Sequence, residues 1–258
     1  MDLSGFARHP RLNGAGVFVT GGGSGIGAAI VEAFLDQGSK VAFVDVAREA
    51  SEALCAKLAG QYGRAPLFIA CDISDIAALR DAITRAGSEL GDIGTLVNNA
   101  ANDQRHDWQE VTPGYWDERM AINLRPMFFA IQAIVPQMLR LGGGSIINFG
   151  SISWKAAQGG MPAYTAAKAA VHGLTRGMAR DLGQNGIRVN TVVPGGVMTE
   201  RQLKLWVDEK GERTMDEMQC LRGRIVPADL ARMVVFLASD DARMCSAQQF
   251  TVDAGWVN

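Results

Sequence analysis

Residues 17–38 read VFVTGGGSGIGAAIVEAFLDQG, and this stretch decides the fold. A short run rich in β-branched residues leads into a glycine-rich turn, and the turn leads into an apolar segment with helical spacing. The pattern predicts a strand over 17–20 and a helix over 27–37. A strand that passes into a helix through a tight glycine turn opens a βαβ unit, which indicates a parallel sheet.

The glycines of this turn also indicate a ligand. Gly21 allows a tight turn, Gly25 lets a phosphate approach the backbone, and Gly27 lets the helix pack closely on the strand. N–H groups at a helix N-terminus bind anions, and the Ser24 hydroxyl either adds a contact or caps the helix. The spacing predicts a dinucleotide whose pyrophosphate lies on residues 21–27, although other turns also collect glycine.

Asp45 sharpens this prediction. It lies at the end of the apolar run KVAFVDV, 18 residues beyond Gly27, where an acidic side chain meets the adenosine ribose in such folds. A carboxylate accepts hydrogen bonds from both ribose hydroxyls and repels a 2′-phosphate. Gly22 and Gly23 carry no positive charge that would bind a 2′-phosphate, whereas Arg48 could weaken the repulsion of that phosphate. The pattern therefore favours NAD over NADP.

A second acidic residue follows the third predicted strand. Asp72, in the run FIACDIS, could reach the adenine edge together with its neighbour Ile73. An aspartate in this position also commonly caps a helix or holds a turn, so both interpretations stay open on the sequence alone.

The rest of the chain repeats the alternation of strands and helices. Near-continuous apolar strands between helices predict one α/β domain over 1–258, a three-layer sandwich around a parallel sheet. The segment 199–224 is longer and more polar than its neighbours, so we expect a substrate lid over the carboxyl edge of the sheet. The further predicted strands are 40–44, 66–70, 95–98, 145–149, 187–193 and 250–252, and the further predicted helices are 48–59, 76–90 and 164–182.

Composition argues against several classes of protein. The 258 residues carry 25 Lys and Arg against 27 Asp and Glu, so no basic field attracts nucleic acid. The longest apolar stretch, 121–139, is interrupted by Asn123, Arg125 and two prolines, which argues against a membrane span. Four widely spaced cysteines and the absence of a secretory pattern indicate reduced thiols. We expect a cytoplasmic protein with neither nucleic-acid nor membrane partners.

Three residues further along indicate the chemistry. Tyr164 and Lys168 are four apart and project from one helix face, and Ser151 follows the strand run SIINFG 13 residues before the tyrosine. A tyrosine with a pKa of about 10 is a poor base at neutral pH, and lowering that pKa by about 3 units needs roughly 4 kcal/mol of phenolate stabilisation. Lys168 and a positive nicotinamide ring could supply this field. Ser151 would hold a substrate hydroxyl while Tyr164 takes its proton and a hydride passes to nicotinamide.

Further motifs join these residues. The set comprises Thr20-Gly21-x-x-x-Gly25-x-Gly27, Asn98-Asn99-Ala100, Asn123, Ser151, Tyr164-x-x-x-Lys168 and Pro194-Gly195. Together they resemble the short-chain dehydrogenase/reductase superfamily, and the resemblance runs from the first strand to the last residues. It implies a Rossmann-like fold with a seven-stranded parallel sheet, and a homo-oligomer that is a dimer or a tetramer.

The resemblance also implies roles for single residues. It implies an Asn–Ser–Tyr–Lys tetrad in which Asn123 anchors a water in a proton relay from Lys168. Thr199 would meet the nicotinamide carboxamide, and Asn98 would support the central strand. Ala101 stands where the family's NNAG motif has glycine, so a shifted loop is one expectation. The full set of predicted cofactor positions is Gly21, Ser24, Gly25, Ile26, Gly27, Asp45, Asp72, Ile73, Asn99, Ala100, Tyr164, Lys168, Pro194, Gly195, Val197 and Thr199.

Longer runs narrow the resemblance. NDQRHDWQEVTPGYWDERMAINLR, GGGSIINFGSISW and the closing VDAGW look like the bacterial aldose 1-dehydrogenases, those acting on D-xylose above all and those acting on L-arabinose or D-galactose as well. This resemblance implies oxidation of a ring-form sugar at its anomeric C1 hydroxyl to a lactone, with NAD as the acceptor. Departures occur in KAAQGGMPAY after Trp154 and over 198–209, where a substrate would be chosen.

The residues themselves are compatible with a sugar. A polyhydroxylated ring needs several hydrogen-bonding groups and a flat apolar platform. Trp154 is either that platform or a packing residue. The predicted substrate contacts are Asn102, Gln104, Ser151, Ser153, Trp154 and Tyr164, and weaker candidates are Arg105, Arg201, Trp206 and Trp256.

Two other functions stay open. A polyol or a 2-keto-3-deoxy sugar acid would suit the same tetrad, and an acid would need Arg105 or Arg201 to bind its carboxylate. A nucleotide-binding protein without turnover would keep the fold, but it would not need Ser151, Tyr164 and Lys168 together. The sequence contains neither an HExxH motif nor clustered metal ligands, so no metal is expected.

Overall fold

The computed structural model describes residues 5–257, with the backbone alone for Lys210, and that part of the chain contains seven strands. Residues 1–4 and 258 of the predicted domain lie outside the described residues. The strands are β1 (Gly16–Thr20), β2 (Lys40–Asp45), β3 (Leu67–Ala70), β4 (Ile93–Asn98), β5 (Gly144–Phe149), β6 (Ile187–Pro194) and β7 (Gln249–Val252). They pair in parallel in the order β3-β2-β1-β4-β5-β6-β7.

Helices cover both faces of this sheet and confirm the three-layer α/β sandwich. Helices α1 and α9 pack together, as do α3 with α5 and α4 with α6. All predicted strands and helices are confirmed, with bounds that move by at most three residues. The helices are α1 (Gly25–Asp36), α2 (Arg48–Tyr62), α3 (Ile76–Leu90), α4 (Pro113–Asn123), α5 (Arg125–Arg140), α6 (Pro162–Leu182), α7 (Glu200–Leu205), α8 (Glu209–Met218) and α9 (Pro227–Ala238).

The register of the central strands aligns their carboxyl ends. Thr20, the last residue of β1, pairs with Val44 of β2 and with Asn98 of β4. Asn98 pairs in turn with Asn148 of β5. Because the strand order reverses between β1 and β4, the loops that follow these strands part and leave a crevice at the carboxyl edge of the sheet.

Two apolar layers enclose the sheet. Val17 and Val19 belong to the layer that contains α1 and α9, whereas Phe18 belongs to the layer with α3 and α5. These three side chains are fully buried, as expected for a strand covered on both faces. Burial of a large apolar side chain stabilises the fold by roughly 1.5–3 kcal/mol. The strands that form the base of the crevice are therefore held in place by these two apolar layers.

A chain of buried polar side chains crosses the sheet below the crevice. The Asn98 amide donates to Asn148 Oδ1 over 2.9 Å, and the Asn148 amide donates to Thr175 Oγ1 over 3.0 Å. Thr191 of β6 shares a hydrogen bond of 2.8 Å with the same Thr175 hydroxyl. The predicted support of the central strand by Asn98 is therefore visible as a side-chain bond from β4 to β5.

The apolar stretch 121–139 is divided between two helices. The helical geometry is interrupted at Leu124, where φ is -135° and ψ is -55°. Helix α5 begins at the next residue and has Pro126 in its first turn. Proline is tolerated there because the first N–H groups of a helix have no internal partner. Within residues 5–257, none of the helices has the length and apolar content needed to cross a membrane.

Candidate active site

The glycine-rich turn after β1 is held in a tight form. Gly25 has a φ of +55°, and a Cβ there would lie 3.3 Å from Thr199 Cγ2, across the opening in front of α1. A Cβ on Gly27 would lie 1.8 Å from the Gly21 carbonyl oxygen, so no side chain fits at that position. The N-terminus of α1 is therefore bare, and Ser24 lies at its N-cap without a side-chain capping bond.

Thr20 and Asn99 tie the turn to the end of β4. The Thr20 hydroxyl accepts from the backbone N–H groups of Asn99 and Ala100, over 3.0 and 3.1 Å. The Asn99 amide donates to the carbonyl oxygens of Thr20 and Gly21, over 3.1 and 2.9 Å. Asn99 thus braces the turn. Ala101 is not among the described residues with positive φ, so alanine replaces the family's glycine without backbone strain.

The two predicted acidic residues also hold backbone. Asp45 accepts from the Gly23 and Ala47 N–H groups, both over 2.9 Å. Asp72 accepts from the Ser74 N–H over 2.9 Å, so the turn function that the sequence left open is present. Each carboxylate oxygen retains a lone pair for another donor.

A cavity of about 1250 Å³ follows the carboxyl ends of the strands. All of the predicted cofactor positions line it, from Gly21 at the turn to Thr199 at the start of α7. We call the part around residues 21–27 and Asp45 the cofactor end. The part around Ser151, Tyr164 and α7 is the substrate end.

Ser151 and Tyr164 meet at the centre of this cavity. Ser151 follows β5, and its side chain caps the short turn at 152–154 by accepting from the Ser153 N–H over 3.1 Å. Tyr164 lies in the first turn of α6 and lines the same cavity as Ser151, whose hydroxyl lowers the Tyr164 pKa. Lys168, one helical turn later, is buried; its Nζ donates to the Phe149 carbonyl over 2.7 Å and lies 5.8 Å from the centroid of the Tyr164 ring.

Burial controls the titration of both α6 residues. It raises the pKa of Tyr164 to about 12, helped by the charge of Asp103 and opposed by the Ser151 hydrogen bond and by Arg105. It lowers the pKa of Lys168 to about 7, while Asp103 acts in the opposite direction. The sequence led us to expect that Lys168 and a positive nicotinamide ring together lower the pKa of Tyr164, and that joint effect stays a prediction. In the protein itself desolvation is the largest influence on this pKa, because a buried phenolate loses its hydration.

Asn123 lies beside the site rather than in the cavity. It ends α4 and is fully buried. Its Oδ1 accepts from the Asn102 N–H over 2.8 Å, and its amide donates to the carbonyl oxygens of Asn102 and Arg119. The side chain fixes the loop after β4, because both amide hydrogens are already bonded. That Asn123 also holds a water in a proton relay from Lys168 stays a prediction.

The predicted substrate contacts divide into two groups. Asn102 lines the cavity with Ser151 and Tyr164, whereas Gln104, Ser153 and Trp154 do not, which corrects their expected placement. The short turn at 152–154 buries Ser153. It also directs the Trp154 indole onto α6, where Nε1 donates to His172 Nε2 over 3.0 Å. The Trp154 indole thus packs on α6, and its service as a sugar platform stays a prediction.

Other side chains occupy the substrate end instead. Of the weaker candidates, Arg105, Arg201, Trp206 and Trp256 all line the cavity. Sequence reasoning missed further lining residues, and for four polar or apolar side chains among them the only signal was position after β4, before α6 or in α7. These are Asp103, Gln158, Met161 and Gln202.

The segment 199–224, which we call the lid segment, contributes lining residues to this end. It contains α7 and α8, and its two flanks meet in a bridge between Val197 and Ile225, with the Met198 N–H donating to the Ile225 carbonyl over 2.8 Å. The Gln202 amide donates to Asp103 Oδ2 over 2.7 Å. The segment therefore leaves and rejoins the body at one place and is fastened to the loop after β4.

Residues 21–257 match the family model described as enoyl-(acyl carrier protein) reductase. The chain belongs to the short-chain dehydrogenase/reductase family. Its curated relatives are named dehydrogenases, so the chain is an oxidoreductase that acts on CH–OH groups, and its fold binds a nicotinamide cofactor. The cavity fits that cofactor, because bare glycines and a helix N-terminus line one end and Ser151, Tyr164 and Lys168 line it further along.

Two curated members are similar over almost the whole chain. "Probable galactose dehydrogenase GalD" of Rhizobium meliloti (strain 1021) is 49% identical over 96% of this chain and 97% of its own length. "D-xylose 1-dehydrogenase" of Caulobacter vibrioides (strain NA1000 / CB15N) is 48% identical over 97% of this chain and 98% of its own length. A solved structure of a blue fluorescent protein from a metagenomic library in complex with NADPH is 38% identical, covers 96% of this chain and 99% of its own, and superposes with a TM-score of 0.87.

Proposed function

We propose that this enzyme oxidises an aldose at its anomeric C1 hydroxyl to the sugar lactone, with NAD as the hydride acceptor. The sugar is a pentose or a galactose-like hexose such as D-xylose, L-arabinose or D-galactose. The observation that carries the proposal is that Ser151, Tyr164 and Lys168 line one cavity with the bare N-terminus of α1. Relatives named for D-xylose and galactose support the choice of sugar.

The catalytic roles follow from this arrangement. Ser151 orients the C1 hydroxyl, and Tyr164 accepts its proton as the C1 hydrogen leaves as hydride. The bound cofactor supplies the hydride acceptor. Lys168, held by the Phe149 carbonyl, passes protons away from Tyr164, and Asn123 holds the relay water next to it. The substrate keeps its ring and gains a C=O at C1, so the two electrons and the proton are accounted for.

Asp45 supports NAD over NADP. Its carboxylate lines the cofactor end and is fixed by the Gly23 and Ala47 N–H groups. A fixed carboxylate favours the two ribose hydroxyls and repels a 2′-phosphate. Arg48, the cation that could offset this repulsion, is exposed and lies 3.5 Å from Glu52.

The cation pairs at the substrate end favour a neutral sugar over a sugar acid. Arg201 lies 3.4 Å from Asp103, and Arg105 stacks on Trp206 with 5.0 Å between the guanidinium carbon and the ring centroid. Neither guanidinium is aimed freely into the cavity to clamp a substrate carboxylate. A polyol remains the second candidate, because it presents the same hydroxyls without the charge.

Three further expectations stay predictions. The lid segment would close over bound sugar, since its residues line the cavity. The chain would form a dimer or tetramer, and the exposed Trp116 and Phe128 of α4 and α5 offer apolar surface for a second copy. Light scattering measures that mass directly. The cytoplasmic location is the third.

Initial rates of NADH and NADPH formation test the proposal. The panel holds D-xylose, L-arabinose, D-galactose, L-fucose and D-glucose, with the corresponding polyols and sugar acids. We expect one aldose with NAD to have the highest kcat/KM, and product analysis to detect the lactone or its hydrolysed acid. Turnover of polyols alone would discard oxidation at the anomeric carbon, and binding of NADH without any turnover would leave a nucleotide-binding protein.

A further inference from the structure

Asp103 is a half-buried acid at the junction of the lid segment and the loop after β4. Gln202 donates to its Oδ2 over 2.7 Å, and Arg201 approaches its Oδ1 at 3.4 Å. The Asp103 side chain is 18% exposed, whereas that of Arg201 is 53% exposed. Water therefore screens the cation more than the anion, and the substrate end experiences a net negative charge at this point.

The reacting residues experience that charge. Asp103 raises the pKa values of both Tyr164 and Lys168, and its effect on Tyr164 is larger than the opposing effect of Arg105. The other charged side chains that line this end are Arg105, Lys168, Glu200, Arg201 and Asp208. Burial lowers the pKa of Lys168 to about 7, so its charge is lost at alkaline pH. Two acids then match the two remaining cations, and the field of Asp103 is not cancelled.

The carboxylate also has free capacity to bind hydroxyl groups. Its two oxygens offer about four acceptor sites. Gln202 takes one on Oδ2, and two nitrogens of Arg201 approach Oδ1 at 3.4 Å, so Oδ2 retains a site for another donor. A sugar hydroxyl is a neutral donor and gains a charge-assisted bond from such an acceptor. A substrate carboxylate brought to the same place would meet a like charge instead.

We propose that Asp103 is a specificity-determining residue that accepts hydroxyl groups of a neutral sugar and excludes sugars that carry a carboxylate. The proposal rests on the proposed aldose oxidation and names the feature that selects its substrate class. Gln202 and Arg201 of the lid segment hold the carboxylate in place.

A matched pair of substrates tests this proposal. D-galactose and D-galacturonate share the anomeric centre and differ in a CH₂OH group against a carboxylate. We expect wild type to prefer the neutral sugar by about a hundredfold in kcat/KM, and Asp103→Asn to reduce that preference at least about tenfold. The matched control is Asp107→Asn in the same loop, where asparagine caps the short helical turn as well as aspartate does, so the preference should not change.

A second variant, with the opposite expected effect on substrate preference, keeps the proposal testable if Asp103→Asn does not fold. Arg201→Gln removes an exposed cation and leaves Asp103 less compensated. We expect this variant to increase the preference for the neutral sugar by a few-fold. If Asp103→Asn proves unfolded by circular dichroism, an unchanged or reduced preference in Arg201→Gln overturns the proposal.

The pH dependence of kcat/KM distinguishes a specificity-determining role of Asp103 from a role that only holds the lid segment in place. Loss of the negative charge makes the Tyr164 phenolate easier to form, so the rise of kcat/KM with pH should move about one unit lower in Asp103→Asn. Arg201→Gln should move it higher. A residue that only held the lid would lower kcat/KM for both substrates equally and leave the profile in place, and that result would overturn the proposal. If wild type oxidises no aldose, the proposed function itself has failed, which is a different result.

Discussion

The two ends of the cavity differ in how the chain builds them. At the cofactor end, the loop between β1 and α1 spans only residues 21–24, and its backbone is fixed by Thr20 and Asn99. At the substrate end, the long segments 99–112 and 195–226 carry the lining side chains. Short loops next to strand ends leave little choice of position, whereas long loops can present different side chains to the same space.

Because of this difference, selectivity for the cofactor and selectivity for the substrate depend on different parts of the chain. Backbone groups and glycines dominate the cofactor end, so its ligand is bound by features that few substitutions preserve. Side chains dominate the substrate end, among them Asp103, Gln202 and Trp206. We infer that the substrate can change during evolution while the cofactor stays, because the substrate end can be altered one side chain at a time.

The largest expected effect lies where the two ends meet. Tyr164→Phe removes the proposed base and should lower kcat by about 10³-fold while NADH affinity changes by no more than a few-fold. Tyr62→Phe is the matched control, because Tyr62 lies on α2 outside the cavity and should retain full activity. Stopped-flow rates and fluorescence titration of NADH measure both quantities. Near-normal activity of Tyr164→Phe would refute the assignment of the base.

Glycine substitutions compare the rigidity of the two ends. Gly27→Ala places a Cβ 1.8 Å from the Gly21 carbonyl oxygen, so the turn must shift. We expect a loss of about 1–3 kcal/mol in the free energy of unfolding and a loss of NADH affinity of more than about tenfold. Gly159→Ala, in the loop before α6, meets open space and should change neither. Denaturant titration and NADH fluorescence measure both variants, and equal effects would contradict the contrast between the ends.

Asp45→Asn tests the charge at the cofactor end while it keeps the shape. We expect kcat/KM with NAD to fall about tenfold and the NADP-to-NAD ratio of kcat/KM to rise by a similar factor, because the repulsion of the 2′-phosphate is lost. Asp72→Asn is the control, since Asp72 also lines the cavity but holds a turn through the Ser74 N–H. An equal fall with both cofactors in Asp45→Asn would leave Asp45 with a structural role only.

Two tryptophans give the smallest but most selective test. Trp206 and Trp154 are 37% and 36% exposed, and only Trp206 lines the cavity. We expect Trp206→Ala to raise KM for the sugar about tenfold through loss of an apolar platform. Trp154→Ala should lower the free energy of unfolding by about 1–2 kcal/mol and leave KM within about twofold. The reverse pattern would restore Trp154 as the sugar platform.

The sequence predicted the lining residues of the cofactor end better than those of the substrate end, and the reason is physical. Gly21 and Asp45 lie at strand ends, and Gly27 lies in the first turn of the helix that follows β1, so the order of strands determines their position in space. Ser153 and Trp154 follow Ser151 as closely, yet a short helical turn at 152–154 directs them away from the cavity. Spacing along the chain does not reveal the direction of such a turn.

The titration of the catalytic residues also lay beyond sequence reasoning. The four-residue spacing of Tyr164 and Lys168 located both side chains on one helix face. It did not reveal that burial raises the pKa of Tyr164 to about 12 and lowers that of Lys168 to about 7. Nor did it identify Asp103, whose influence depends on a loop and on Gln202 from a distant part of the chain.

Transfer of deuterium from C1 of the sugar tests the central claim most directly. The preferred aldose would be supplied with deuterium at C1, and the reduced cofactor and the product would be analysed by mass spectrometry. We predict that the deuterium appears in the reduced cofactor, that the product is the lactone or its hydrolysed acid, and that kcat/KM shows a primary isotope effect when hydride transfer limits the rate. Turnover that leaves the deuterium on the sugar would contradict oxidation at the anomeric carbon.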